Sequence, residues 1–275
     1  MLIPRIITAL VLLVLAGLAL FVADETWWPY IVLGVVALAA WEWPNLYGMR
    51  AEMLKISYSL VVVSCVWGLW QLDLASWLYG LVLIQLLAIG YGVGRYQRAK
   101  GQVYVYQHLF VAMTLGAIFI SALGLALIEL RLSFSVALLL YAMALVWIMD
   151  TGAYFAGRQW GRRKLAIYVS PGKSWEGVWG GLVLVTVFAA FVAFSGGLSY
   201  LTGEAVIHSL AFILLSVLVA FVSVGGDLFE SLLKRQSGIK DSSGLLPGHG
   251  GVLDRVDSLL IALPLFWVGW TWLVA

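Results

Sequence analysis

Apolar runs of roughly 18 or more residues recur from one end of this chain to the other. A run of that length crosses a ~30 Å hydrocarbon core as a helix. Lipid offers backbone N–H and C=O groups no partners, so a spanning chain must be helical or form a closed barrel. A barrel would show alternating segments of about ten residues, and the sequence shows none. The fold class expected is therefore an all-α polytopic integral membrane protein. Residues are 63% hydrophobic and 11% charged, against about 25% charged in soluble domains. No segment is long enough for a separate soluble domain, so 1–275 reads as one membrane domain.

About nine transmembrane helices are placed, at 4–22, 27–43, 56–70, 76–94, 105–125, 132–156, 175–195, 206–226 and 256–275. The second is short enough to tilt or to lie partly in the interface. Residues 1–22 lack a clear small-residue cleavage site and read as a retained helix rather than a signal peptide. Cys65, the single cysteine, lies in an apolar run and reads as a packing residue; alone, it excludes disulfides within the chain and a cysteine metal cluster.

Cytoplasmic loops carry an excess of Lys and Arg. With the N-terminus cytoplasmic, the inside segments hold Arg5; Arg50 and Lys55; Arg95, Arg98 and Lys100; Arg158, Arg162, Arg163, Lys164 and Lys173; and Lys234, Arg235, Lys240 and Arg255. That is fifteen of the sixteen basic residues, with Arg131 alone outside. The outer loops take Asp24, Glu25, Asp73, Glu129 and Glu204. One miscounted span would put later basic loops on the wrong side. Trp27, Trp28, Trp41, Trp43, Trp70, Trp77, Trp175, Trp267, Trp270 and Trp272 mostly fall near span ends, as an aromatic belt does. The net charge of +2 carries little information, and no nucleic-acid partner is expected.

Glu42 and Glu52 flank the first inner loop. The remaining carboxylates, Asp150, Glu176, Asp227, Glu230, Asp241, Asp254 and Asp257, all fall at the cytoplasmic ends of the last four spans or between them. Asp150 lies inside an apolar run, ALVWIMDTGAYFAG. An ionised Asp there costs ~2.5–3.5 kcal/mol on insertion scales, so such a residue usually faces a polar cavity. The small residues after it, Gly152, Ala153, Ala156 and Gly157, allow close helix packing. The cluster Arg158, Arg162, Arg163 and Lys164 reads either as a topology signal that attracts anionic lipid or as a phosphate clamp. In SPGKSWEG, Ser174 is placed as the N-cap of a helix with Glu176 in its first turn, and Lys173 adjoins an end that attracts anions.

The longest polar stretch is Ser231–Asp257, SLLKRQSGIKDSSGLLPGHGGVLDRVD. Just before and within it, Asp227, Glu230, Ser231 and Lys234 share one helix face at i, i+3, i+4 and i+7. Asp254, Asp257 and Ser258 repeat that pattern at the start of the last helix. A basic glycine-rich loop joins the two. Oxygen ligands of this kind suit Mg²⁺, which takes one or two carboxylates plus substrate phosphates. Basic side chains and loop N–H groups would hold the remaining phosphate oxygens. Three readings stand on these residues alone: a metal-dependent membrane enzyme that handles phosphates, a transporter with a charged pathway, and a structural charge network. His249 reads equally as a general acid or phosphate donor and as an exposed turn residue.

The stretch resembles the phosphatidate cytidylyltransferase (CDP-diacylglycerol synthase) family. Ser231, Lys234, Arg235, Lys240, Asp241, Pro247, His249, Gly250, Gly251, Asp254, Arg255 and Asp257 fall on that family's pattern in order and spacing. Asp150–Gly161 and Ser170–Gly177 resemble it too, with Gly172 standing where a basic residue is common. The resemblance covers mainly the C-terminal half. It implies transfer of the cytidylyl group of CTP to phosphatidate with Mg²⁺, giving CDP-diacylglycerol and pyrophosphate, and leaves room for a second cation. By position it implies Asp227 and Asp254 as metal ligands. Asp227, Asp254, Lys234, Lys240, Asp241 and His249 are then the expected catalytic residues. Asp150, Lys173, Ser174, Glu176, Arg235, Gly250, Gly251, Arg255 and Asp257 are expected to bind substrate. Residues 131–275 become the catalytic helices, and 1–130 a scaffold with room for a homodimer contact. The expected place is a bacterial inner membrane, with the site facing the cytoplasm. A CTP-dependent polyprenol or phytol kinase is the nearest alternative, and would not be expected to carry the whole motif.

Overall fold

The computed structural model describes residues 3–202 and 207–274, so Glu204 lies outside the described residues. Among them are eleven α-helices: α1 (Ile3–Phe21), α2 (Trp28–Glu42), α3 (Glu52–Gln71), α4 (Trp77–Arg98), α5 (Leu109–Glu129), α6 (Val136–Trp160), α7 (Trp175–Phe194), α8 (Gly197–Thr202), α9 (Ser209–Gln236), α10 (Leu253–Val256) and α11 (Leu259–Val274). Each of the nine expected runs falls on a helix. Seven segments are long and apolar enough to cross a membrane. The first two runs give shorter helices, with α1 apolar over Ile6–Phe21 and α2 only 15 residues long.

Two elements depart from expectation. Residues 164–174 fold as an antiparallel hairpin, β1 (Lys164–Ala166) and β2 (Ser170–Ser174). The last span does not begin as one helix. It breaks at Asp257-Ser258, between α10 and α11, where Asp257 Oδ1 accepts the Ser258 N–H at 2.7 Å, and a side chain that bonds nearby backbone competes with helix continuation.

Helix α5 is the centre of the bundle, packed by α2, α3, α4 and α11, while α9 packs on α4, α6, α7 and α11. Aromatic rings fill the space between, with Phe119 stacked on Phe229 at 4.8 Å and Tyr141 on Phe212 at 5.0 Å. Trp28, Trp43, Trp267 and Trp270 are buried in this core rather than in an aromatic belt. Their rings fill interhelical gaps that hydropathy alone cannot distinguish from the interface. Cys65 is exposed on α3 rather than packed inside.

The α6–α7 contact is built on glycines, as the small residues after Asp150 imply. A Cβ on Gly152 would stand 2.9 Å from the Cα of Gly181, and one on Gly181 would stand 2.6 Å from the Met149 carbonyl oxygen. In α11, Pro264 cannot donate to the carbonyl four residues back. That carbonyl, on Leu260, instead accepts from Gln85 Nε2 of α4 at 2.9 Å. Gln85 is wholly buried and so replaces a bond that lipid could not.

Hydrogen bonds define two ends of the bundle. At one, Asn45 donates to the Ser242 carbonyl, Ser237 to the Leu46 carbonyl, Val105 N–H to Gln236 and Tyr168 N–H to Gln97. These join the connections α2–α3, α4–α5, α6–α7 and α9–α10. Thr8, near the start of α1, donates to the Pro247 carbonyl at the same end. At the other end Arg131 donates to the carbonyls of Ala19 and Ala23 and lies 4.4 Å from the Trp28 ring. The basic connections are thus gathered at one end, with Arg131 opposite.

Candidate active site

Two of the cavities at the gathered end lie on either side of a cluster of charge. The first, about 490 Å³, lies among α6, β2, α7 and α9 and is lined by Asp150, Tyr154, Arg158, Lys173, Ser174 and Asp227. Ser174 Oγ accepts the Gly177 N–H at 3.2 Å, so it is the α7 N-cap that the sequence implies. That cap turns the chain sharply and sets Lys173 beside α9, where its Nζ meets Asp227 Oδ2 at 2.6 Å. Ser231 donates to Asp227 Oδ1 at 3.1 Å from the next turn. A Cβ at Gly172 would meet open space, so the departure there leaves the cavity roomy.

The second cavity, about 550 Å³, lies in the polar loop and is lined by Lys240, Asp241, His249, Gly250 and Arg255. Its shape comes from a tight turn. His249 N–H donates to the Leu246 carbonyl and Leu246 N–H to the Gly250 carbonyl, each at 2.8 Å. Gly248 and Gly250 take φ of 76° and 82°, a region that glycine enters without cost. Arg255 clamps the turn by donating to the His249 carbonyl through Nε at 3.2 Å and Nη2 at 2.8 Å. Among the described residues neither Lys240 nor Asp241 is in a salt bridge.

Between the cavities stand Glu230, Lys234, Asp254 and Asp257. Lys234 Nζ bridges Glu230 Oε2 at 2.8 Å and Asp254 Oδ1 at 2.7 Å. Asp254 Oδ2 accepts the backbone N–H of Ser242 at 2.9 Å and of Gly251 at 2.7 Å, and the Ser242 hydroxyl lies 3.0 Å away. Asp257 lies against α9, where a Cβ on Gly226 would stand 2.7 Å from its carbonyl oxygen. Glu230 is 1% exposed, and its Oε1 is a buried oxygen without a hydrogen-bond partner. Lys173 and Asp227 line the first cavity, and the second approaches this charged cluster at Gly250, where a Cβ would stand 2.6 Å from Asp254 Oδ2.

Among the described residues no three His, Cys, Asp or Glu side chains converge to hold an ion by themselves. Mg²⁺ is usually held by one or two carboxylates and completed by substrate phosphates and water. Asp227 and Asp254, two carboxylates with substrate phosphates to complete the shell, fit such an ion in donor chemistry. Each of the two aspartates already has an ammonium against one oxygen, Lys173 on Asp227 and Lys234 on Asp254, which an incoming metal ion would share or displace.

Three residues expected to bind substrate are engaged with the protein itself. Arg235 donates to the Val169 carbonyl at 3.3 Å and so ties α9 to the hairpin instead of facing either cavity. Glu176 accepts from the backbone N–H groups of Arg162 and Arg163 and from Arg163 Nε at 3.4 Å, which holds the turn after α6. The Gly251 N–H is committed to Asp254 and is not free for phosphate. One central residue was missed. Glu42, at the end of α2, is fully buried and accepts from Ser242 and Ser243 hydroxyls and from the Val252 and Leu253 N–H groups. Its signal is the one that singles out Asp150, a carboxylate placed against an apolar run.

Fold and site together define a polytopic, α-helical membrane protein with a carboxylate and ammonium centre suited to phosphate esters. The chain belongs to the cytidylyltransferase family, whose sequence pattern matches residues 3–272. It is 40% identical to a phosphatidate cytidylyltransferase of Pseudomonas aeruginosa, over 97% of this chain and 96% of that protein. A protein of the same name from Haemophilus influenzae is 39% identical over 97% of each chain, and one from Helicobacter pylori 32% identical over 93% of this chain and 87% of its own length.

Proposed function

We propose that this enzyme transfers the cytidylyl group of CTP to phosphatidate, forming CDP-diacylglycerol and releasing pyrophosphate. The observation that carries this reading is a pair of polar cavities on either side of the Lys234–Asp254 ion pair, in a chain of the cytidylyltransferase family. The glycine-rich cavity, with Lys240 and Arg255, suits the polyphosphate of the nucleotide. The cavity among α6, α7 and α9 suits the lipid phosphate, with the acyl chains left in the bilayer beside exposed Tyr154 and Phe155.

Phosphatidate carries a phosphomonoester whose second pKa is about 6, so its attacking oxygen is already anionic at neutral pH. A strong general base is unnecessary, which leaves the carboxylates free to bind cations. One phosphate oxygen attacks the α-phosphorus of CTP, and the bond to the pyrophosphate oxygen breaks. The obstacle is repulsion between two polyanions, and the centre answers it with positive charge. Lys173 would orient the lipid phosphate; Lys240 and Arg255 would hold the departing phosphates. Lys234 keeps Asp254 in place. Mg²⁺, held by Asp227 and Asp254, would neutralise charge developing on the phosphates.

The distribution of basic residues supports nine transmembrane helices with the N-terminus in the cytoplasm, an arrangement that would put the site at the inner face of a bacterial plasma membrane. A transporter would need its charges near mid-membrane, whereas these gather at one end of the bundle. The test is an assay of the purified protein with CTP, phosphatidate and Mg²⁺. CDP-lipid and pyrophosphate should form in equal amounts and stop when the metal is chelated. A folded preparation that forms no CDP-lipid would refute the assignment.

A further inference from the structure

We infer that Glu42 is a positioning residue for the reaction: acting through Ser242, it sets the orientation of Asp254 and hence the strength of cation binding. The inference rests on the reading of Asp254 as a metal ligand. Glu42 belongs to α2, far in sequence from the polar loop and outside every motif identified above. Its carboxylate nevertheless lies at the centre of that loop. Oε1 accepts the Ser243 hydroxyl at 2.7 Å and the Val252 N–H at 2.9 Å; Oε2 accepts the Leu253 N–H at 2.8 Å and lies 2.9 Å from the Ser242 hydroxyl.

Ser242 is the link. Its hydroxyl stands between Glu42 Oε2 and Asp254 Oδ2, and its N–H donates to that same Asp254 oxygen. Val252 and Leu253 immediately precede Asp254, so Glu42 holds it from the chain side as well. Gly251 leaves the space this requires, since a Cβ there would collide with both Ser242 Oγ and the Glu42 carboxylate. A buried carboxylate with every acceptor position filled is a rigid anchor, and groups that orient metal ligands typically alter metal affinity or activity by 10–100-fold when removed. A carboxylate is specifically required. Glutamine would turn an NH₂ group toward the N–H of Val252 or of Leu253, a donor facing a donor.

The experiment uses the full-length protein purified in detergent, with Mn²⁺ as the probe, its binding followed by electron paramagnetic resonance without nucleotide or lipid. Glu42→Gln and Ser242→Ala should each weaken Mn²⁺ binding by about 10–100-fold. The Mg²⁺ concentration giving half-maximal activity should rise by the same factor, with the KM for CTP at saturating Mg²⁺ little changed. Glu42→Asp should recover part of the affinity. Wild-type Mn²⁺ affinity in both Glu42→Gln and Ser242→Ala, even with a lower melting temperature, would make Glu42 purely structural and overturn the inference. If Glu42→Gln does not fold, Ser242→Ala decides, because it keeps three of the four Glu42 contacts. Asp254→Asn separates the two levels. Lost Mn²⁺ binding there with normal binding in Glu42→Gln sinks the positioning role alone. Normal binding in Asp254→Asn sinks the metal reading and the positioning role together.

Discussion

Lys234 shows how a single side chain carries both structure and chemistry. It neutralises Glu230 and Asp254, both nearly buried, from one ammonium group. Removing one member of a buried ion network leaves charge without a partner, at about 3–5 kcal/mol. Lys234→Met should therefore lower the melting temperature in detergent as well as abolish CDP-lipid formation. Unchanged stability would show that the two acids find other partners. Gly250→Ala tests the turn separately. Its φ of 82° disfavours any side chain, and the new Cβ would stand 2.6 Å from Asp254 Oδ2. Backbone strain of roughly 1 kcal/mol should leave the protein folded, while turnover falls by at least tenfold because Asp254 must move; unimpaired turnover would mean that Asp254 tolerates displacement. At this scale the sequence was most legible where charge sits in hydrocarbon. Asp150 stands out for that reason, Lys173 by its place at a helix start, and Asp227 and Lys234 by their shared helix face. Arg235 and Glu176 looked the same in sequence, yet they hold the chain, because a charged residue beside a motif can equally serve the backbone around it.

At the scale of elements, Pro264 and Gln85 form one unit. Gln85→Leu would leave the Leu260 carbonyl unpaired inside the bundle, and polar contacts between membrane helices are worth about 0.6–2 kcal/mol. Pro264→Ala restores an N–H to α11 that can reach the same carbonyl. The loss in Gln85→Leu should therefore shrink in the Gln85→Leu, Pro264→Ala double variant, as read by thermal unfolding. Strict additivity would show that the two are independent. Helices α6 and α7 are set by glycine in the same local way. Gly181→Ala drives a methyl into the Met149 carbonyl, so it should separate the helices near Asp150 and lower activity more than stability, measured on one preparation. Long helices were legible because hydropathy marks them continuously. The hairpin of β1 and β2 was not, since it is short, polar and held by long-range contacts such as Arg235 to Val169.

At the scale of the molecule, orientation is the open physical question with a direct answer. In a Cys65→Ala background, a cysteine at Gln102 lies at the site end and one at Asp73 at the opposite end. A membrane-impermeant maleimide added to intact spheroplasts should label the second and spare the first, and inverted vesicles should show the reverse. Labelling of both from one side would overturn the orientation. The bundle also interleaves the two halves of the chain. Helices α4 and α5 pack on α9 and α11, and Glu42 reaches from α2 into the polar loop. The motif-bearing half thus depends on the half that has no motif.

The membrane character, the helices and the charged end could be read from the sequence alone. Hydrophobic length, charge placement and motif spacing are local properties, and lipid penalises exceptions to them. Only the tertiary structure decided which charges face one another. The pairing of Lys173 with Asp227, the bridging of α9 to Asp254 by Lys234 and the anchoring of the loop on Glu42 each join different elements of the fold. Their geometry depends on how glycine-lined faces and aromatic rings pack, which no single segment encodes.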